Sequence, residues 1–519
     1  MKSGTGNGQE ISVQKGLSDM KKKVYMVIGN IDIDKGGITR VMLNRSWLLC
    51  ERGYSVTLLT LNFKKNYPEV EAALKGVGRL HPDVEILNIH DFYKMKNTSG
   101  YKEEAISESE EDYVVHRGKR HERYFKNGVL IKDEKRDANG ELKYIDYYNE
   151  NRLRSRREDF YRGQLYRTTH YHPSTQKATV KNYCTEHGFC YLSRWYNGET
   201  GELEKLFLFN AQDRSCKMYT SNEDFHVSWL NEMCKQSEEK PYVICDGPGS
   251  AAKVLDIDKD RAYRILAVHT NHFSFPHKKG SDIKKNHKEL LDRFKEADAL
   301  VLLTEEQKRD IAEQYGDPGN IYVIPHFVTP MEDTSSVRKD PHLISMVSRL
   351  HEEKGLDEAI RSFKQVVGQF PETRLEIHGS GPAEEELAEL IAELDLQQHV
   401  QLKGYCDQVG HVFKQSLFTV LTSKYEGLSL VIMESMANYT PVISYNIKYG
   451  PSDLIDHGVD GYLVQNRSQD ELAHYMLELL KNPEKAKTMG EEGYKKAKAR
   501  WNEELHFQHW ETLFEKISH

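Results

Sequence analysis

The sequence predicts an α/β protein made of two doubly wound parallel domains, with an antiparallel, β-rich insertion in the first. Three observations predict it. Two stretches, from about Lys22 and from about Pro341, alternate short apolar runs with amphipathic segments, the grammar of parallel βαβ units. Between about Tyr101 and Glu238 the runs become short, aromatic and separated by Asn-Gly-type turns, the grammar of hairpins. A chain of 519 residues is also too long for one ordinary core.

Taken in order, the first twenty residues carry Gly4, Gly6 and Gly8 among polar neighbours. They lack the apolar run of a signal peptide and read as a disordered leader. VYMVIGN then reads as a strand covered on both faces, DKGG as a turn, and ITRVMLNRSWLLCERG as a helix. Apolar Val41, Leu43, Trp47 and Leu48 mark that helix, Gly53 is its C-cap, and the strand YSVTLLTL follows. In the insertion, Asn127-Gly128, Asn139-Gly140, Arg162-Gly163, Asn197-Gly198 and Thr200-Gly201 punctuate a meander. The α/β pattern returns with PYVICDGP, RAYRILAVHTNH, ADALVLLTEEQKRDIAEQYG and IYVIPHFV. A second series follows, with strands LISMVSRL, TRLEIHGSG, VQLKGYC and FTVLTS and helices such as LDEAIRSFKQVV. From about Ser468 the chain reads as two helices. The resulting map is a first domain over 22–100 and 239–330, an insertion over 101–238 and a second domain over 331–499. A terminal helix over 500–519 is expected to pack back on the first domain.

With 38% hydrophobic and 29% charged residues the chain has the composition of a globular protein. Its net charge of −8 and pI near 6.3 argue against a nucleic-acid binder. The seven cysteines, Cys50, Cys184, Cys190, Cys216, Cys234, Cys245 and Cys406, form no CxxC pair, so reduced thiols are expected. No run approaches the ~20 apolar residues of a membrane span. A cytoplasmic protein is expected, with peripheral attachment to the inner face of the membrane left open.

Open parallel sheets bind ligands beyond the carboxyl ends of their strands. Gly36 and Gly37 stand there, after the first strand and at the start of a helix whose free N–H groups suit an anion. Their spacing is not that of a GxGxxG dinucleotide fingerprint. Arg349 and Lys354, in SRLHEEKG after LISMV, suit a pyrophosphate, with a fork for two oxygens and a mobile point charge. Glu426 and Glu434, in EGLSLVIME, follow FTVLTSKY. Glu426 precedes the helix and is expected to point into a cleft. Gly427 is expected to let the backbone approach a ligand, with the N–H groups of Leu428 and Ser429 exposed at the helix start. Glu434 lies in an apolar run, where an unpaired carboxylate is costly.

The combination of Gly36-Gly37, Arg349…Lys354-Gly355 and Glu426-x7-Glu434 resembles the retaining glycosyltransferases of family 4, in the GT-B class. The resemblance covers both α/β regions, about three quarters of the chain. More narrowly, DIDKGGITRVMLNRS and the Tyr- and Arg-rich meander resemble the bacterial wall teichoic acid glycosyltransferases. Those place α-linked GlcNAc or glucose on poly(ribitol phosphate) or poly(glycerol phosphate). The resemblance implies two Rossmann-like domains facing a cleft and a UDP-sugar as co-substrate, with no cofactor. It implies that Gly37 faces the donor phosphate, and that Arg349 and Lys354 neutralise the diphosphate leaving group. Glu434 would hold the ribose hydroxyls, Glu426 the transferred sugar, and His269, in VHTNH, would line the reaction centre. Gly36, Gly379, Leu428 and Ser429 fall on the donor side.

Charge then sets the chemistry. Negative charge grows on the departing diphosphate, and Arg349, Lys354 and helix-terminal N–H groups are suited to stabilise it without a metal. The one Asp-x-Asp string, Asp32-Ile33-Asp34, precedes the Gly-Gly turn rather than a donor pocket. No carboxylate nucleophile is evident, so retention implies attack from the leaving-group face. A two-carboxylate hydrolase would leave the Arg/Lys pair without a purpose.

Between Tyr113 and Asn182 there are seventeen Lys and Arg against nine Asp and Glu. Arg152, Arg154, Arg156 and Arg157 cluster there among Tyr147, Tyr148, Phe160 and Tyr161, a surface suited to a polyanionic acceptor. A strand-rich insert also suits an oligomer interface, and the resemblance implies a homo-oligomer built through it. Two rival readings share the donor residues: a GT-B transferase acting on Ser-rich adhesins, and a non-catalytic sugar-nucleotide-binding partner subunit.

Overall fold

A computed structural model describes residues 21–33, 37–97, 113–330 and 338–519. The leader expected over the first twenty residues, and Gly36 with it, lie outside the described residues. The first parallel sheet has seven strands. Its centre is Tyr242–Asp246 beside Lys21–Ile28, flanked on one side by Tyr54–Thr60 and Glu85–Asn88. On the other side stand Tyr263–Ala267, Ala299–Leu302 and Ile321–Val323. Six parallel strands form the second sheet, centred on Asp340–Val347 beside Ser416–Leu421. In each sheet the strand order reverses between these two central strands. The loops after them are therefore where an open parallel sheet places its ligand.

The insertion is a ten-stranded antiparallel meander from Val114 to Tyr219, each strand beside the next in sequence. Asn127-Gly128 and Arg162-Gly163 both take positive φ, as tight two-residue hairpin turns require. The meander stops short of Glu238. Asn222–Lys235 is a helix, capped by the Ser221 hydroxyl accepting from the Asp224 N–H at 3.0 Å. Its Phe225, Trp229 and Met233, spaced by one turn, pack on Tyr191, Leu192, Leu206 and Leu208 of the insertion and on Val243 and Cys245 of the first sheet. One core thus runs through both parts, so the last strands of the insertion are fused to the domain that carries them.

The end of the chain forms three helices rather than the two expected: Gln469–Lys481, Pro483–Arg500 and Glu503–Ser518. Pro483, suited to a first helical turn, separates the first two. Asn502 starts the third, its side chain accepting from the Leu505 N–H at 2.8 Å. This last helix buries Phe507, Trp510, Leu513 and Phe514 in the core of the first domain, with Phe514 stacked on Tyr242 at 4.1 Å. Trp510→Ala removes one of the largest fully buried side chains. It is expected to lower stability by about 3–5 kcal/mol, read as a fall in the urea midpoint.

Candidate functional site

The carboxyl ends of the central strands bring three groups of residues together. In the first domain, Asp246 ends the strand Tyr242–Asp246 and is fully buried. Burial pushes its carboxyl up, but the Arg45 guanidinium and the His269 ring outweigh it and hold Asp246 below the ordinary carboxylate range. Arg45 reaches it from the helix Ile38–Glu51, and His269 Nε2 lies 2.8 Å from Oδ1. Arg45 also lies over the Trp510 ring at 4.8 Å, so the terminal helix roofs the pair. His326 stacks on His269 at 5.5 Å. The Nδ1 of His269 is buried and has no hydrogen-bond partner, the kind of orphaned polar atom that a ligand satisfies.

The second group lies on the second domain. Lys354 Nζ donates to Glu426 Oε1 at 2.6 Å, and the Ser423 hydroxyl donates to the same oxygen at 2.7 Å. Both side chains of the ion pair are 16% exposed. Among the described residues the Arg349 side chain is held only by Glu353, at 3.2 Å, and it is 65% exposed, free to close on an anion. Among the described residues the N–H groups of Leu428 and Ser429 have no acceptor, although both residues are buried. On the first domain Gly37 starts the helix Ile38–Glu51 with φ 60°, no side-chain cap and open space where a Cβ would stand.

The third group ties the domains to each other. Gly427 lies so close to the His269 carbonyl that a Cβ would collide with it. The glycine expected to admit a ligand therefore admits the backbone of the other domain. Gly379 is likewise a packing glycine, since its Cβ would run into the Ser348 carbonyl. Glu434 pairs with Arg40, from the helix that Gly37 opens. Burial raises its carboxyl pKa and Arg40 draws it part of the way back. Lys448 Nζ meets Glu306 at 2.9 Å and also Asp310, while the Tyr449 hydroxyl donates to Asp310 at 2.7 Å.

Arg154, Arg156 and Arg157 do not join this assembly. Arg157 makes a two-pronged bond to Asp146 at 2.7 Å, and Arg154 leans on the same carboxylate. Arg156 pairs with Glu158 at 3.2 Å, and Arg152 sits in an exposed turn with φ 63°. The cluster expected to be an open cationic surface is largely neutralised by its own strands. Tyr161 and Arg162, at the other end of the strand Arg154–Tyr161, are what reach Glu69 of the first domain. At about 3.3 Å per residue, Arg157 lies about 13 Å and Arg154 about 23 Å along the strand from Tyr161.

Sequence reasoning missed Arg40, Arg45 and Asp246. Asp246 had a signal, a polar residue closing the apolar run YVIC. The two arginines carry no such signal, because basic residues on a helix are ordinarily solvated.

Residues 330–496 match the family model of the glycosyl transferases group 1, a span that holds Arg349, Lys354, Gly379, Glu426 and Glu434. The chain is 27% identical over 502 residues to a poly(ribitol-phosphate) alpha-N-acetylglucosaminyltransferase of Staphylococcus aureus, covering 95% of this chain and 99% of that one. It is 25% identical over 508 residues to a poly(glycerol-phosphate) alpha-glucosyltransferase of Bacillus subtilis, covering 94% and 74%. The crystal structure of TarM superposes with a TM-score of 0.85 at 26% identity, over 95% of this chain and 98% of that chain. A TarM mutant of Staphylococcus aureus, with the same score, has been solved with fondaparinux, alpha-GlcNAc-glycerol and UDP. The fold is GT-B, with a large antiparallel insertion.

The buried network gives a test. Removing one partner of a buried pair leaves the other charge uncompensated. Arg45→Met is expected to cost about 3–5 kcal/mol at pH 7, measured by urea unfolding. In the wild type the depressed pKa of Asp246 stabilises the fold above the unfolded value near ~3.9. That contribution disappears as pH falls through the lower folded value. Without Arg45 burial pushes Asp246 up, so the deficit of the variant shrinks on acidification.

Proposed function

We propose that this GT-B chain moves GlcNAc or glucose from a UDP-sugar onto a polyol-phosphate polymer of the wall teichoic acid kind, with retention of configuration and without a metal. The observation that carries the reading is the Lys354–Glu426 pair, set at the domain junction where the neighbouring Gly427 meets the His269 carbonyl. Likeness to two polyol-phosphate transferases along nearly the whole chain supports the acceptor class.

In this reading the diphosphate lies between Arg349, Lys354 and the N–H groups that begin at Gly37, Leu428 and Ser429. These donors neutralise the charge that grows on the leaving group. Glu426 orients the transferred sugar. His269 presents Nδ1 to it while Asp246 fixes the ring through Nε2. Glu434 exchanges Arg40 for the ribose hydroxyls. Fixed cations at the leaving group support metal independence. Among the described residues the metal-ligand cluster Cys50, His81 and Asp83 stands at the other end of the helix that Gly37 opens, about 20 Å away by helix rise. Assembly into a homo-oligomer through the insertion belongs to the same reading, supported by the exposed Val114, Trp195 and Met218 on that sheet. So does action in the cytoplasm, at or near the inner face of the membrane. Among the described residues no helix is long and apolar enough to cross a membrane.

The direct test is transfer of radiolabelled sugar from a panel of UDP-sugars, with EDTA present, onto poly(ribitol phosphate), poly(glycerol phosphate) and a Ser-rich protein. Label on a phosphate polymer is expected. Label on the protein alone would move the chain to the peptide transferases, and binding of UDP-sugar without transfer would make it a silent subunit. Lys354→Ala and Glu426→Ala are each expected to lower kcat by about 100-fold or more, with the melting temperature near that of the wild type. Wild-type turnover in either variant would remove the site assignment.

A further inference from the structure

Resting on that reading, we propose that the loop joining Asn271 to the helix Lys285–Arg293, with Lys284 and Lys285 at its end, is where the phosphates of the polymeric acceptor enter the cleft. The strand Tyr263–Ala267 feeds this loop, on the first domain.

Lys284 lies over the ring of Tyr425 at 3.9 Å, so a cation of the first domain touches the residue next to Glu426. His277 packs on the same ring at 4.1 Å. Among the described residues Lys278, Lys284 and Lys285 have no carboxylate partner, whereas Lys279 is held by Glu313 and Lys288 by Asp292. Burial without a counter-charge pushes Lys284 down to about 8. His277 is lowered as well, first by burial and then by Lys284 and by Lys424 of the second domain. The helix Lys285–Arg293 starts without a side-chain cap, which adds its first N–H groups to the positive field. Phe275 stands at the loop's tip, 83% exposed.

These cations differ from the arginines of the insertion in the two respects that matter. Among the described residues they lack carboxylate partners, and Lys284 stands over Tyr425, the residue next to Glu426. A repeating phosphodiester fits them because each phosphate replaces a missing counter-charge, and the next repeat along the chain meets the next lysine.

The experiment is initial-rate kinetics of the full chain and of the Lys284→Met/Lys285→Met double variant. The acceptors are poly(ribitol phosphate) or poly(glycerol phosphate) and the corresponding monomeric polyol phosphate, each at several NaCl concentrations. UDP titration reports whether the donor site is intact, and Lys285→Met alone, at an exposed position, serves if the double variant does not fold. The polymer KM is expected to rise about tenfold, far more than the monomer KM. The slope of log(kcat/KM) against log[NaCl] should flatten by about one per lysine lost. Lys284→Arg/Lys285→Arg should restore both. An unchanged polymer KM and salt slope would overturn the proposal. So would loss of sedimentation with anionic phospholipid vesicles at unchanged polymer KM, which would assign the face to lipid. If the wild type labels no polyol-phosphate polymer, the functional reading fails and takes this inference with it.

Discussion

The constraint on which the rest depends is the burial of Asp246 at the point where the first sheet reverses its strand order. A carboxylate there is tolerable only if its charge is matched and its lone pairs are filled. Arg45 and His269 do both, and the roof over Arg45 is Trp510 from the last helix of the chain. The terminal helix, the first helix and the strand end are therefore locked to one another. The His269 main chain, fixed by this lock, is the surface that Gly427 of the other domain approaches. Where the two domains meet is set by a packing contact with no room for even one extra carbon.

On the second domain the same economy of charge recurs. Lys354 and Glu426 neutralise each other while Ser423 fills a further lone pair. Glu434 takes its counter-charge from Arg40 across the domain boundary. Both carboxylates hold partners that a ligand of the right chemistry can replace; in the proposed reading a diphosphate would compete for Lys354, and sugar or ribose hydroxyls for the glutamates. Arg349 is the reverse case, an exposed cation with one weak tether. The site is thus a set of charges each ready to exchange a partner, on two sheets fixed by packing.

The insertion is bound to the first domain by a continuous apolar core rather than by a linker, through the helix Asn222–Lys235. Its many arginines look outward in composition and inward in fact. Cross-strand carboxylates at Asp146 and Asp159 take up Arg154, Arg157 and Arg167, Glu158 on the same strand takes up Arg156, and tyrosine rings cover Arg154, Arg156 and Arg157. Regional net charge does not reveal this, because pairing depends on which residues face each other across strands.

By itself the sequence determined the two parallel α/β series and the hairpin texture of the insertion, because hydrophobic period and turn chemistry are local properties. It also placed Gly37, Arg349, Lys354 and Glu426 beyond strand ends, since that follows from counting residues after each apolar run. The helix Asn222–Lys235 carried an equally local signal, Ser221 before Asp224 and apolar residues one turn apart, hidden by its polar neighbours. Partners were decided by the tertiary structure alone. Arg45 and Asp246 are 201 residues apart and Arg40 and Glu434 are 394 apart. No periodicity spans such distances, so which charge satisfies which is settled only when the sheets pack. For the same reason no local pattern shows that Gly427 and Gly379 stand where a Cβ would strike a backbone carbonyl, that of His269 in the other domain and that of Ser348.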